Sequence, residues 1–205
     1  MNAQSFLALL QAHYDFTRAD FIFNQLQLKN CWKPWLTTEL TASLGCMPMP
    51  LEVVIDDHYQ LPEKTDKPLE WLSHIPKNGV QVVTEKRHAS RCDFRFDDQG
   101  KPHYVEIRCA NKQLFQKGKE IQKYLSDIER ITAFKKKLPD AAITALFAFY
   151  GAFDNEEVAV FKELDNAKRV NYVLDTGMTG SSSIARLSHL QRAGEPRLFI
   201  AAFSL

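Results

Sequence analysis

The sequence predicts an α/β fold, on the border with α+β, in which helices flank a mixed central sheet that contains an antiparallel three-strand meander. Residues 91–97 and 104–109 alternate between apolar and charged side chains, which indicates two half-buried strands. Residues 112–137 carry an apolar stripe at helical spacing, and the nearly wholly apolar residues 142–150 predict a strand buried on both faces. A right-handed crossover through that helix would set this strand parallel to the strand of residues 104–109.

The remaining elements follow from apolar periodicity and from breakers. Residues 2–28 are predicted to be helical, and a second helix starts near Pro34 and stops at Gly45. Residues 46–79 are rich in proline and form loops around a short strand at residues 51–55. Residues 80–85 are predicted to be the first strand of the meander. The C-terminal part adds a helix at 155–168, a strand at 170–174, a helix at 181–192 and a strand at 197–203.

The chain length of 205 residues fits a single domain, 1–205, with an approximate core at 34–150 and a C-terminal extension at 151–205. No apolar run approaches the roughly 20 residues that a membrane helix needs, and the N-terminus lacks a signal-peptide pattern. The four cysteines show no CxxC spacing, which favours reduced thiols and a cytoplasmic location and argues against zinc.

Positive charge concentrates in the middle of the chain. Residues 86–137 carry 14 basic and 7 acidic side chains, a balance of +7, while the flanking segments are net negative. This segment includes the alternating strands and the helix after them. A basic field of this kind favours nucleic acid as the partner, although a solvated helix face explains the lysines of the helix equally well.

Two carboxylates are expected to meet on the hairpin formed by the alternating strands. Turn residues 97–101 separate the strands, and pairing about this turn places Asp93 opposite Glu106, with Arg108 on the same face as Glu106. Two acids from neighbouring strands can hold a hard divalent cation and leave positions for water and phosphate. The alternative is that these acids form a cross-strand ion-pair ladder with Arg95 and Arg108.

The order Asp93, hairpin turn, Glu106-Ile107-Arg108 and a helix with residues 126–130 resembles the PD-(D/E)XK nuclease superfamily, the restriction-endonuclease-like fold. The resemblance implies that Asp93, Glu106 and the carbonyl of Ile107 bind Mg²⁺ or Mn²⁺. It also implies that Glu39, on the helix before the meander, faces the metal. Active members usually carry lysine where this chain has Arg108.

The function expected from this resemblance is Mg²⁺-dependent cleavage of nucleic-acid phosphodiesters, with Asp93, Glu106 and Arg108 as the catalytic set. Arginine stays protonated and cannot act as a base, so Arg108 would bind or stabilise phosphate. The expected nucleic-acid contacts are Arg91, Arg95, Lys112 and His88.

Two alternatives to the nuclease function stay open at this point. The same fold without catalysis could serve as a nucleic-acid-binding or protein-interaction module, which the Arg108 departure favours. The other alternative is an unrelated α+β domain in which the charged residues of the hairpin have only a structural role. A homodimer is also an open alternative.

Overall fold

A computed structural model describes residues 1–26, 32–111, 119–168, 172–176, 184–190 and 193–205. Helices α1 to α5 span Ala3–His13, Phe16–Leu26, Trp32–Gly45, Lys119–Lys135 and Asn155–Lys168. Strands β1 to β9 span Val53–Ile55, Trp71–Ile75, Gly79–Val83, Phe94–Asp98, Lys101–Asn111, Ala142–Phe153, Tyr172–Asp175, Ile184–Arg186 and Ala193–Ser204. Short 3₁₀ helices occupy Lys86–His88 and Leu187–His189. None of the described helices combines the length and the apolarity that crossing a membrane requires.

The described strands form a seven-stranded mixed sheet in the order β1-β4-β5-β6-β9-β7-β8 and a separate two-stranded ribbon, β2–β3. β4 and β5 are an antiparallel hairpin, and β5 pairs with β6 in parallel through α4, as predicted. β9 lies between β6 and β7 and is antiparallel to both, so the C-terminal residues complete the same sheet.

Side-chain alternation on the central strands produces one core on each face of the sheet. β6 contributes Phe147 and Phe149 to the core beneath α4 and α5, and Leu146 and Ala148 to the core beneath α1 to α3. The prediction that residues 142–150 are buried on both faces is therefore confirmed. The fold is a three-layer arrangement of helices, sheet and helices, which is how a mixed sheet buries both of its apolar faces.

The N-terminal helical segment is interrupted. Tyr14 is extended, its ring packs edge-on against Phe16 at 4.7 Å, and Asp15 Oδ1 accepts the Arg18 N–H at 3.0 Å. Asp15 therefore caps the start of α2. Residues 27 and 28 lie outside the described residues, and α3 begins at Trp32, two residues before the expected Pro34.

The strands that form the meander differ from the predicted ones. Residues 80–85 do not join the main sheet, because β3 pairs with β2 across a short turn, and β1 takes the expected place beside β4. A local hairpin closes a much shorter loop than a pairing with β4 would, so its entropic cost is smaller. The proline-rich segment concealed β2, which had no period-two signal.

The prediction of a helix at 181–192 is also wrong within the described residues. Ile184–Arg186 is a strand paired with β7, and a 3₁₀ turn follows. Buried Asp165 on α5 accepts hydrogen bonds from Arg186 at 3.3 Å and from the Ser188 N–H at 3.1 Å. These tertiary contacts override the local helical pattern. The start of the predicted helix at residue 112 lies outside the described residues, which show α4 from Lys119.

The core under α4 depends on Phe134, whose ring centroid lies 4.5 Å from that of Tyr59. Phe134→Ala is expected to lower the free energy of unfolding by about 3–5 kcal/mol, because it leaves a cavity in a fully buried position. Phe21→Ala is the matched control, since Phe21 is 66% exposed, and its effect should stay within about 0.5 kcal/mol. Urea denaturation measures both, and equal losses would contradict the packing described.

Candidate functional site

The β4–β5 hairpin brings Asp93 and Glu106 next to each other. Phe94 pairs with Val105, and the Asp93 N–H donates to the carbonyl of the same Val105 at 2.9 Å, so the regular register ends at Phe94 and the pairing is irregular at Asp93. β5 continues to Asn111, beyond the point where β4 begins. Asp93 Oδ2 accepts the N–H of Ile107 at 2.6 Å, and the carboxylate thereby occupies the edge of β5 that β4 leaves open.

Glu106 projects from β5 into the core beneath α4, where only 6% of the residue is exposed. Its Oε1 accepts the Tyr59 hydroxyl at 2.6 Å, and its Oε2 lies 2.8 Å from Arg130 of α4. A buried carboxylate requires both hydrogen bonds and a compensating charge, and these two partners supply them.

Asp93 is neutralised from the other side. Its Oδ1 lies 2.7 Å from the ammonium group of Lys33, which projects from the start of α3. Since α3 and α4 cover opposite faces of the sheet, the two carboxylates bind protein cations that approach from opposite faces. All four oxygens of the pair accept a donor from the protein.

Arg108 is held in the same network and does not contact the acidic pair directly. Its Nε and one terminal nitrogen donate to Asp127 Oδ2 at 3.0 and 2.7 Å, and Arg130 donates to the other Asp127 oxygen at 3.3 Å. A continuous chain of charged and polar groups therefore links β5 to α4, in the order Tyr59, Glu106, Arg130, Asp127 and Arg108. The ladder that pairs Glu106 directly with Arg95 or Arg108 is replaced by these contacts to α4.

Burial controls the protonation of the side chains that link Tyr59 to Arg108. Burial raises the pKa of Glu106 to about 7, Arg130 and the Tyr59 hydroxyl oppose this rise, and the negative charges of Asp93 and Asp127 add to it. Burial, and then the Glu106 charge, raises the pKa of Tyr59 well above its usual value. The pKa of Arg130 is raised by Glu106 in spite of burial, so Arg130 stays protonated. Perturbed groups of this kind mark either a functional site or a structural ion-pair network.

Glu39 lies apart from the acidic pair. It projects from α3 and pairs with Arg18 of α2 at 3.2 Å. Among the described residues, no three His, Cys, Asp or Glu side chains converge on a position where they could hold a metal ion. With its four oxygens engaged from two faces, the Asp93–Glu106 pair as folded does not present the shared, open donor set that Mg²⁺ or Mn²⁺ requires. The Ile107 group that contacts Asp93 is its N–H, whereas the expected metal ligand was its carbonyl.

The residues expected to contact nucleic acid are distributed around the hairpin, and most are already paired. Arg91 is exposed, binds Asp56 and donates to His58 at 3.2 Å. Arg95 is half-buried between Asp57 at 2.7 Å and Asp97 at 2.9 Å. His88 is 60% exposed and lies 3.6 Å from Glu85. Lys112 lies outside the described residues.

The partners that close the site were missed in the sequence. Asp127 and Arg130 have the i, i+3 spacing of a helical ion pair, and their position beside the apolar stripe of α4 was a readable signal for burial. Tyr59 lies 47 residues from Glu106 in sequence, inside a segment without regular patterning. Lys33 is also remote from Asp93 in sequence, and nothing in its local sequence marks it as a partner.

Comparison with known proteins adds no assignment. A scan against protein-family models, a search of curated proteins and a search of solved structures each found no match.

Glu106 should give folding a specific dependence on pH. Its pKa is raised from 4.5 to about 7, so the folded state holds the proton more tightly, and stability declines as pH rises through that window. Relative to Glu106→Gln, the free energy of unfolding of the natural chain should fall between pH 4.5 and about 7 and then level off.

Chemical denaturation across this pH range measures the difference between the two proteins. Glu129→Gln is the matched control, because Glu129 is an exposed carboxylate on α4, the helix that carries Arg130. A difference in unfolding free energy between the natural chain and Glu106→Gln that does not change with pH would refute the assigned protonation.

Proposed function

We propose that this chain binds nucleic acid without cutting it, on a restriction-endonuclease-like scaffold in which protein cations close the acidic pair. The observation that carries the non-hydrolytic part is that Lys33 and Arg130 already neutralise Asp93 and Glu106, at 2.7 and 2.8 Å. The two positive charges that a divalent ion would contribute are thus contributed by the protein itself.

Displacing these cations is energetically unfavourable. Arg130 is mostly buried, and a metal ion on Glu106 would break its ion pair and leave the guanidinium with Asp127 alone. Removing one partner of a buried pair typically costs about 3–5 kcal/mol. This cost works against occupancy of the site by Mg²⁺.

Arg108 supports the same conclusion. Active members of the superfamily that the hairpin resembles usually carry lysine at this position. Here the guanidinium stays protonated and is held by Asp127 through two hydrogen bonds. Its contacts fix α4 against β5, which is a structural role.

The nucleic-acid part is supported by the charge on the α4 side of the molecule. The ribbon packs there, since Val80 of β3 contacts the α4 core and the His74 ring lies 6.3 Å from that of Phe134. Residues 71–88 and 121–137 expose six lysines and arginines and two acids, Glu85 and Glu129. The six are Lys77, Lys86, Arg87, Lys123, Lys136 and Lys137. We refer to these six side chains as the basic face. An excess of exposed cations over acids binds phosphate backbones with an affinity that falls as salt rises.

Mg²⁺-dependent hydrolysis of nucleic acid is the second candidate. It is favoured by the side-by-side placement of Asp93 and Glu106, and by the partial exposure of the Asp93 side chain, which is 17%. In that case Asp93, Glu106 and the Ile107 carbonyl would hold the ion. The two candidates differ in their response to added metal.

Fluorescence anisotropy with a labelled duplex should show binding that weakens with salt. Lys136→Gln/Lys137→Gln should weaken binding and reduce the slope of log K against log salt by about 0.9 for each phosphate that the protein no longer neutralises. Arg18→Gln/Lys162→Gln, which removes two exposed charges from other helices, is the matched control and should leave the slope unchanged.

The same preparation tests for a metal site. Adding Mg²⁺ should leave both the melting temperature and the length of the bound oligonucleotide unchanged. Cleavage that requires Mg²⁺ and is lost in Glu106→Gln would establish the nuclease instead. Absence of any salt-sensitive binding would eliminate both candidates and leave a protein-interaction module.

A further inference from the structure

The β2–β3 ribbon is an exposed appendage with a firmly held base. The Leu72 N–H donates to the Tyr59 carbonyl, and the Ser90 N–H donates to the Leu72 carbonyl, both at 2.8 Å. The His74 N–H donates to the Ser90 hydroxyl at 3.0 Å. At the other end, all five residues from Ile75 to Gly79 are exposed. The ribbon therefore presents its turn to solvent from a fixed base.

The turn contains a lysine in a backbone conformation that favours glycine. The Asn78 N–H donates to the Ile75 carbonyl at 3.0 Å, Pro76 occupies the second position, and Lys77 has a φ of 76°. This is the pattern of a type II turn, whose third position normally carries glycine or asparagine because φ is positive there. A lysine at this position carries the strain of a positive φ, which a glycine would relieve.

The chemistry of the ribbon suits a nucleic-acid groove. From residue 71 to residue 88, Lys77, Lys86 and Arg87 oppose a single acid, Glu85, which lies 2.6 Å from Arg87. Asn78 lies beside Lys77, and Ile75, 38% exposed, precedes the turn. Lysine can bind guanine or phosphate, asparagine can bind adenine, and an apolar side chain can contact the thymine methyl group.

On the basis of these features we propose that the tip of the β2–β3 ribbon, residues 75–79, enters the major groove of duplex DNA. Lys77 is the principal contact in the groove, while Lys86 and Arg87 bind phosphates at its edge. This proposal rests on the proposed function and specifies its partner. A major groove about 12 Å wide admits a two-stranded ribbon, whereas the deep, narrow major groove of A-form RNA does not.

Substitutions at Lys77 separate binding from folding. Lys77→Gly removes the charge and relieves the positive φ, so the melting temperature should rise by about 2–4 °C while the dissociation constant for duplex DNA should rise about 10-fold. Lys77→Arg keeps the charge and should bind within about 2-fold of the natural chain.

The matched control is Gln99→Gly in the β4–β5 turn, because Gln99 is also exposed and has a φ of 53°. It should gain stability in the same way and bind DNA unchanged. Competition with an A-form RNA duplex of the same sequence should show a preference of about 10-fold or more for DNA.

The outcomes distinguish this proposal from the one it rests on. Salt-sensitive DNA binding that Lys77→Gly leaves unchanged would overturn the ribbon contact and preserve nucleic-acid binding. Equal affinity for DNA and RNA duplexes would overturn entry into the major groove. Absence of salt-sensitive binding in the natural chain would overturn both proposals.

Discussion

The buried ion pair between Glu106 and Arg130 is the interaction on which the site depends. It joins the central strand β5 to α4, and Tyr59 and Asp127 complete the hydrogen bonds at its two ends. Removing a carboxylate from water costs several kcal/mol, and the guanidinium offsets this cost only because its geometry is fixed on a helix that packs on the same core. The pair therefore requires α4 to keep its position on the sheet.

The same constraint explains the chemistry of the hairpin. Glu106 forms its hydrogen bonds and ion pair within the core on one face of the sheet. It cannot at the same time turn towards Asp93, whose ion pair lies on the other face. Lys33 holds Asp93 on the α3 side while Arg130 holds Glu106 on the α4 side. The two acids of the hairpin thus form two separate ion pairs, and each ties a helix to the sheet. Under the proposed function, the exposed cations of the ribbon and of α4 form the binding surface.

The sequence predicted the regular part of this fold well. Period-two alternation located β4 and β5, and the apolar run at 142–150 identified the doubly buried β6. The expected register, by contrast, ends at Phe94 and Val105, one pair before Asp93 and Glu106. The failures share one physical cause. The signals for β2, for β8 and for the partners of the acids are tertiary: a hairpin inside a proline-rich segment, a strand anchored by Asp165, and the remote side chains of Tyr59 and Lys33. Local patterns report which face a residue occupies, and they do not report which distant group will neutralise it there.

A double-mutant cycle on Glu106 and Arg130 measures the strength of this ion pair itself. Glu106→Gln and Arg130→Met each leave a buried charged partner unpaired, whereas the double substitution removes both charges. The two single losses in unfolding free energy should therefore not add. We predict a coupling of about 2–3 kcal/mol at pH 8, above the pKa of Glu106. A coupling below about 0.5 kcal/mol would mean that the two groups behave independently, and would contradict the role assigned to the pair.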